Sequence, residues 1–298
     1  ATAGLTEGVI NLGSYLPCSG LYEKVEPNPK CWAYPYGHGG LNVEGGITHS
    51  CNCFFYEVGY RLSLKERGMN KIGSDDAEGS STTRYYSSTT GINKIKEYAE
   101  MFGLGDVSGV EIPEAEPQIS DDSSVPTAIG QGTNNYTTTQ ITKYITAVAN
   151  KGTVFDLTLL DRITAPDGKV LKEFEPKIKN TLDNVSDSTW DAVHKGMRGV
   201  VRDEQREIFS DINDSLQLSG KTGTAQQSKT HPDHGLFVGF APSDNPEIAF
   251  TVRIANGYSS HNAADVGSDL MKYYYKLTSE KNIITGKAKK VTEKSGGD

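Results

Sequence analysis

Two apolar runs near the C-terminal end, Leu236-Phe237-Val238-Gly239-Phe240 and Ile248-Ala249-Phe250-Thr251-Val252-Arg253-Ile254, flank the turn sequence Pro242-Ser243-Asp244-Asn245-Pro246. β-Branched and aromatic residues bounded by Pro, Asn and Asp predict a hairpin. Leu216-Gln217-Leu218-Ser219, leading into Lys221, supplies a third consecutive strand. An antiparallel sheet follows, and apolar spacing over residues 264 to 279 predicts a helix that covers one of its faces.

The same three- and four-residue spacing predicts helices over residues 50 to 62, 91 to 102, 138 to 150 and 187 to 201. The fold class is therefore α/β of the α+β kind: an antiparallel sheet flanked by helices, with an all-helical lobe. Two apolar stripes, Ile95, Tyr98, Phe102 and Val266, Leu270, Tyr274, Leu277, are expected to pack into the core. Residues 70 to 90 are polar and Ser/Thr-rich and read as a surface loop. The expected organisation is one large domain over residues 1 to 282, truncated at its N-terminal side, and a solvated Lys-rich tail over 283 to 298. Residues 1 to 7 read as the end of a longer helix, with Gly8 at its left-handed stop.

A net charge of −8 and a pI near 5.4 disfavour nucleic acid or an anionic membrane surface as the main partner. A small molecule, peptide or sugar fits that charge better. No run of about 18 apolar residues exists, so an anchor or export signal is expected upstream of Ala1.

The chemistry concentrates in two places. Lys221-Thr222-Gly223-Thr224 lies where a strand borders a cleft, and Gly220 and Gly223 remove side chains that would keep a ligand from the backbone. An extended peptide can add to such a strand through main-chain hydrogen bonds. Lys221 offers positive potential to a carboxylate, Thr222 and Thr224 offer hydroxyls, and the Thr224 N–H suits an oxyanion hole. Ser50-Cys51-Asn52 forms a second candidate site, although Ser50 is also a good helix N-cap. No Ser in the chain has a Lys three residues after it.

These blocks carry a resemblance. Ile47 to Tyr56, Ala128-Ile129-Gly130-Gln131-Gly132, Ser219 to Gln226, His234 to Pro242 and Gly37-His38-Gly39 together look like the transpeptidase domain of a class B penicillin-binding protein of the elongation type. The resemblance covers nearly the whole chain. It implies the penicillin-binding transpeptidase fold and serine acyl transfer: a serine attacks the D-Ala-D-Ala end of a peptidoglycan stem peptide, and an amine of a second stem peptide resolves the acyl-enzyme. β-Lactam antibiotics mimic the donor. Ser50 would relay a proton, Asn52 would hold the general-base lysine and the substrate amide, and Lys221 would act with Thr222, Gly223 and Thr224 on the substrate. His234 would touch substrate from the loop beyond the Lys221 strand.

The family also implies partners among cell-wall synthesis proteins, no nucleic acid, and a place on the extracytoplasmic face of the bacterial membrane, held by an N-terminal helix. The family's Ser-x-x-Lys segment would fall just before Ala1. Without it, a polypeptide of these residues is expected not to be acylated by penicillin. Two other classes remain open, a non-catalytic muropeptide-binding or scaffold module and a β-lactam hydrolase. The latter requires a base for deacylation, and the sequence ties no carboxylate to the site.

All four cysteines, Cys18, Cys31, Cys51 and Cys53, lie in the first fifth of the chain with His38 and His49. One reading is a structural zinc site on Cys18, Cys31, His38 and Cys53; the others are a Cys18 to Cys31 disulfide or plain reduced packing. No cofactor is required for catalysis. His231, Asp233 and His234 invite a catalytic triad, but a turn leading into a strand suits solvated or gate-lining histidines better.

Overall fold

The structure, a computed structural model, describes residues 1–66, 84–226 and 230–286. Ile248–Ile254, His234–Ala241 and Ser219–Ala225 pair in that order as an antiparallel sheet, which leaves Ser219–Ala225 at an edge. Successive side chains of a strand point to opposite faces, and the central strand divides the core accordingly. Phe237 and Ala241 join Phe209, Phe250 and Met271 on one side. Val238 and Phe240 face the larger cluster, which holds Phe54, Ile145 and Trp190. Lys221 pairs with Val238 and so lies on the face toward the helical lobe.

The lobe contains the expected helices with small changes of boundary: Asn52–Leu62, Ser88–Met101, Thr138–Ala149 and Asp187–Gly199. Thr137 and Gln140 form a capping box that fixes the start of the third. The fourth passes directly into a π-helical turn, Val200–Glu204. A short helix, Thr2–Thr6, ends at Glu7, and Gly8 follows with φ 67° in the left-handed region expected of it. Among the described residues no helix is long and apolar enough to cross a membrane.

Several expectations need correction. Tyr98 and Phe102 are buried and Ile95 packs against the core, but Val266, Leu270, Tyr274 and Leu277 are 41–50% exposed. The Ser260–Tyr274 helix instead turns Ala263, Ala264, Gly267 and Met271 inward. Its partners are the rings of Phe237 and Phe250; a Cβ at Gly267 would lie 3.0 Å from the first and 3.2 Å from the second. Large rings on the sheet demand small residues on the helix, so the large apolar residues mark its outer face.

Within the span read as a loop, Arg84–Tyr86 pairs with Leu64–Glu66 and a helix begins at Ser88; residues 70–83 of that span lie outside the described residues, as do 287–298 of the tail. The third strand begins at Ser219, after a helical turn at Asn213–Leu216. Two antiparallel pairings, Thr153–Asp156 with Lys177–Thr181 and, between them in sequence, the hairpin of Arg162–Thr164 with Val170–Glu173, form an excursion that sequence patterning missed. Three of those four strands are exposed along their length, so they lack the alternation by which strands are recognised.

Candidate active-site cleft

Ser50, Asn52 and Lys221 to Thr224, singled out in the sequence, meet across one cleft of about 870 Å³. The Val43–Thr48 helix, N-capped by the Asn42 side chain, ends at His49. Ser50 then takes φ 49°, the next helix begins at Asn52, and its N-cap is Cys51. Ser50 is therefore not the N-cap; it sits on a left-handed turn between two helices, with its hydroxyl open to the cleft.

From the opposite wall, Lys221 Nζ donates to Ser50 Oγ at 2.8 Å, and also to Thr222 O at 2.9 Å and Thr222 Oγ1 at 3.3 Å. Asn52 lines the same cleft and donates weakly to Lys30 O at 3.5 Å. Gly223, Thr224 and Ala225 continue the edge strand along it. The Thr224 hydroxyl is buried and has no hydrogen-bond partner among the described residues. Lys221 and Asp233 are the charged side chains among the described lining residues.

Three further residues were not predicted to line the cleft. Trp32 and Phe55 line the cleft on the Ser50 side, and Asp233 closes it beyond the Lys221 strand. The expected residue there, His234, is buried in the central strand, where its Nδ1 accepts from the Asn256 N–H at 2.9 Å. Burial, then the nearby Arg253 charge, lowers its pKa. His234 shares a strand face with Leu236 and Val238, which line the cleft, but its ring is engaged by Asn256, whereas Asp233 precedes the strand and reaches the cleft. His231 is exposed and bonded to Thr230, and among the described residues no serine joins it in a triad.

The cysteines cluster beside Ser50, and all four are free thiols, so there is no Cys18–Cys31 disulfide. The ligand atoms of Cys18, Cys31, His38 and Cys51 all lie within 4.8 Å of one another. His38 Nδ1 stands 3.5 Å from Cys18 Sγ and 3.6 Å from Cys31 Sγ. Zn–S arms of about 2.3 Å give a tetrahedron with edges of about 3.8 Å, close to these separations. Cys51 therefore takes the fourth place in the compact set where Cys53 was expected. Cys51 is the N-cap, on the loop side of the helix start, whereas Cys53 is one residue inside the helix. Hydrogen bonds from the Cys51 thiol, then the Cys53 thiol, hold Cys31 far below the ordinary thiol range, and the same bonds push Cys51 and Cys53 up. The cluster thus favours a thiolate at Cys31, the form that binds metal.

Residues 1–272 match the family model described as the penicillin-binding protein transpeptidase domain. The chain belongs to the penicillin-binding protein transpeptidase family. Its relatives place it with the class B, MrdA-like members. The peptidoglycan D,D-transpeptidase MrdA of Haemophilus influenzae is 28% identical over 273 residues, covering 80% of this chain and 37% of that protein. Pseudomonas aeruginosa PBP2 in complex with WCK 5153 superposes with a TM-score of 0.70 at 26% identity, covering 94% of this chain and 59% of that one. The imipenem acyl-enzyme of Mycobacterium tuberculosis penicillin-binding protein A shares the fold, with a TM-score of 0.71 at 19% identity over 92% of this chain and 57% of that one. The chain spans roughly two fifths of the length of the curated relatives it matches.

Proposed function

We propose that this chain forms the D,D-transpeptidase site of a cell-wall cross-linking enzyme, and that the cleft beside Lys221 receives the D-Ala-D-Ala end of a stem peptide. The observation that carries this reading is the 2.8 Å bond from Lys221 Nζ to Ser50 Oγ, made across a cleft bordered by an open strand edge. The donor peptide adds to Ser219–Ala225 as a further strand. Its terminal carboxylate is drawn by Lys221 and can accept from the Thr224 hydroxyl, which has no partner among the described residues.

In the reaction, a serine oxygen bonds to the carbonyl carbon of the penultimate D-Ala. The C–N bond to the terminal D-Ala breaks, and the departing amine takes a proton. Ser50, polarised by Lys221, delivers that proton, while Asn52 orients the substrate amide. An acceptor amine then attacks the ester, and the serine recovers its proton. The nucleophile is the Ser of Ser-x-x-Lys, which these 298 residues do not contain. Ala1 and Thr2 line the same cleft, so a segment joined to Ala1 would enter beside Ser50 and Lys221. β-Lactams occupy the donor site, the setting is the extracytoplasmic face of the membrane, and partners are other cell-wall synthesis proteins.

Cys18, Cys31, His38 and Cys51 fit a structural zinc ion, which would tie the loop before the Val43–Thr48 helix to the Ser50 turn.

Calorimetric titration with an N-acetylated peptide ending in D-Ala-D-Ala tests the cleft. Saturable binding that is lost for the L-Ala-L-Ala isomer is expected; equal binding of both isomers, or of neither, overturns the assignment. Intact mass after penicillin G then tests acylation once the polypeptide includes a Ser-x-x-Lys segment.

A further inference from the structure

Ser50 holds a backbone conformation that its side chain does not favour: residues other than Gly, Asn and Asp are uncommon at φ 49°. Its turn also has a hydrogen-bonding demand. One helix ends at Thr48 and the next begins at Asn52, so the carbonyls of residues 49 and 50 lie at a helix end, where intrahelical donors run out. Trp32 answers that demand. Its indole Nε1 donates to His49 O at 3.1 Å and to Ser50 O at 3.1 Å.

The ring itself is held in place. It meets the His38 ring edge-on, with centroids 4.9 Å apart and planes at 71°. His38 in turn stacks on His49 at 5.9 Å, and His49 Nδ1 sits 2.6 Å from a Glu204 carboxylate oxygen. Trp32 is 41% exposed and lines the cleft that holds Ser50. A large apolar ring left this open to water gains little from burial, so its bonded N–H and its place at the Ser50 turn point to a role other than core packing.

We propose that Trp32 is a positioning residue for Ser50. Its indole N–H clamps the two carbonyls that flank the Ser50 α-carbon, holds the left-handed turn, and thereby keeps Ser50 Oγ facing Lys221 Nζ. Without the clamp, Ser50 relaxes toward ordinary right-handed or extended backbone and its hydroxyl swings away. The inference rests on Ser50 and Lys221 forming a working pair in the peptide cleft. It is distinct from direct contact between the ring and substrate, which would make Trp32 part of the binding wall.

A double-mutant cycle separates the two. The affinity of an N-acetylated D-Ala-D-Ala peptide is measured for the wild type, Trp32→Phe, Ser50→Ala and the double variant, with thermal stability followed in parallel. Trp32→Phe keeps the ring and removes the N–H. Loss of one such bond at the site is expected to weaken binding about tenfold, and the double variant is expected to bind no worse than Ser50→Ala, because Trp32 acts through Ser50. Wild-type affinity in Trp32→Phe, or losses that multiply in the double variant, overturn the proposal.

Should Trp32→Phe fail to fold, hydrogen exchange of the two indole N–H protons in the wild type decides. Trp190 is 2% exposed and serves as the internal reference. Protection of Trp32 despite its exposure supports the clamp, and exchange at the rate of a free indole overturns it. If the wild type binds no peptide, the cleft assignment fails on its own, and the exchange measurement still judges the clamp.

Discussion

Gly220 and Gly223 look alike in sequence, two glycines around a lysine, yet the structure gives them different work. A Cβ at Gly220 would lie 2.3 Å from Phe237 Cζ, 2.9 Å from Cε2 of the same ring and 3.0 Å from Val238 O. Phe237 is fully buried among Phe209 and Phe250, so the ring has nowhere to move. Overpacking of this kind costs about 1–3 kcal/mol. At about 2–4 °C per kcal/mol for a domain of this size, Gly220→Ala is expected to lower Tm by about 2–12 °C. At Gly223 the nearest atom is Leu236 Cβ at 3.6 Å, an ordinary contact. The methyl would stand on the strand face that carries Lys221, where the peptide must lie. Gly223→Ala is therefore expected to leave Tm unchanged or raise it slightly, since Ala restricts the unfolded chain by about 0.4–1 kcal/mol. Peptide affinity should fall at least about tenfold. Differential scanning calorimetry and titration of the D-Ala-D-Ala peptide read both effects. Wild-type Tm in Gly220→Ala, or wild-type affinity in Gly223→Ala, would refute the division between packing and access.

Lys221→Met keeps the chain length and removes the charge; loss of a charged hydrogen bond of about 1.5–3 kcal/mol should weaken peptide binding about 10- to 150-fold in titration, with Tm little changed. Zinc affinity, measured by competition with a chromogenic chelator, should fall much further for Cys51→Ser than for Cys53→Ser, because Cys51 completes the compact ligand set. Burial would raise the Glu114 pKa, but bonds from Ser108 Oγ, Thr139 and Thr137 and from the Ser108 N–H outweigh it and hold the carboxyl at about 2. A depressed carboxyl stabilises the fold above its unfolded pKa, near 4.5, and that stability is lost as pH falls toward about 2. Glu114→Gln should accordingly be less stable than the wild type at pH 7, with the gap closing between pH 4.5 and 2 in denaturant titrations. A polypeptide of these 298 residues should keep its unmodified mass after penicillin G, since the Ser-x-x-Lys nucleophile is not in the sequence.

What was legible in the sequence followed from simple periodicity and from ordered motifs. The edge strand at Lys221, the hairpin after it and four helices of the lobe announce themselves by alternation, turn residues and apolar spacing. The covering helix was legible but its inward face was not, because Phe237 and Phe250 select Ala263, Ala264 and Gly267 over larger residues. Ser50 and Lys221 could be named, but the left-handed turn that aims Ser50 depends on Trp32, eighteen positions away, and no local pattern encodes it. The same limit explains why Cys51 rather than Cys53 completes the compact cluster, since only the helix start decides between them. His234 lies on the cleft side of its strand, but its ring is engaged by the Asn256 N–H, a partner 22 positions away that no local pattern reveals.

A structure of the protein with the N-acetylated D-Ala-D-Ala peptide bound would judge the central claim most directly. The peptide should lie extended along Ser219–Ala225, with its carboxylate beside Lys221 and Thr224 and its terminal amide near Ser50 and Asn52. A peptide seated elsewhere, for example in the polar cavity between the Val43–Thr48 and Asp187–Gly199 helices, with the Lys221 edge left uncovered, would show that the cleft does not bind the donor end of the stem peptide.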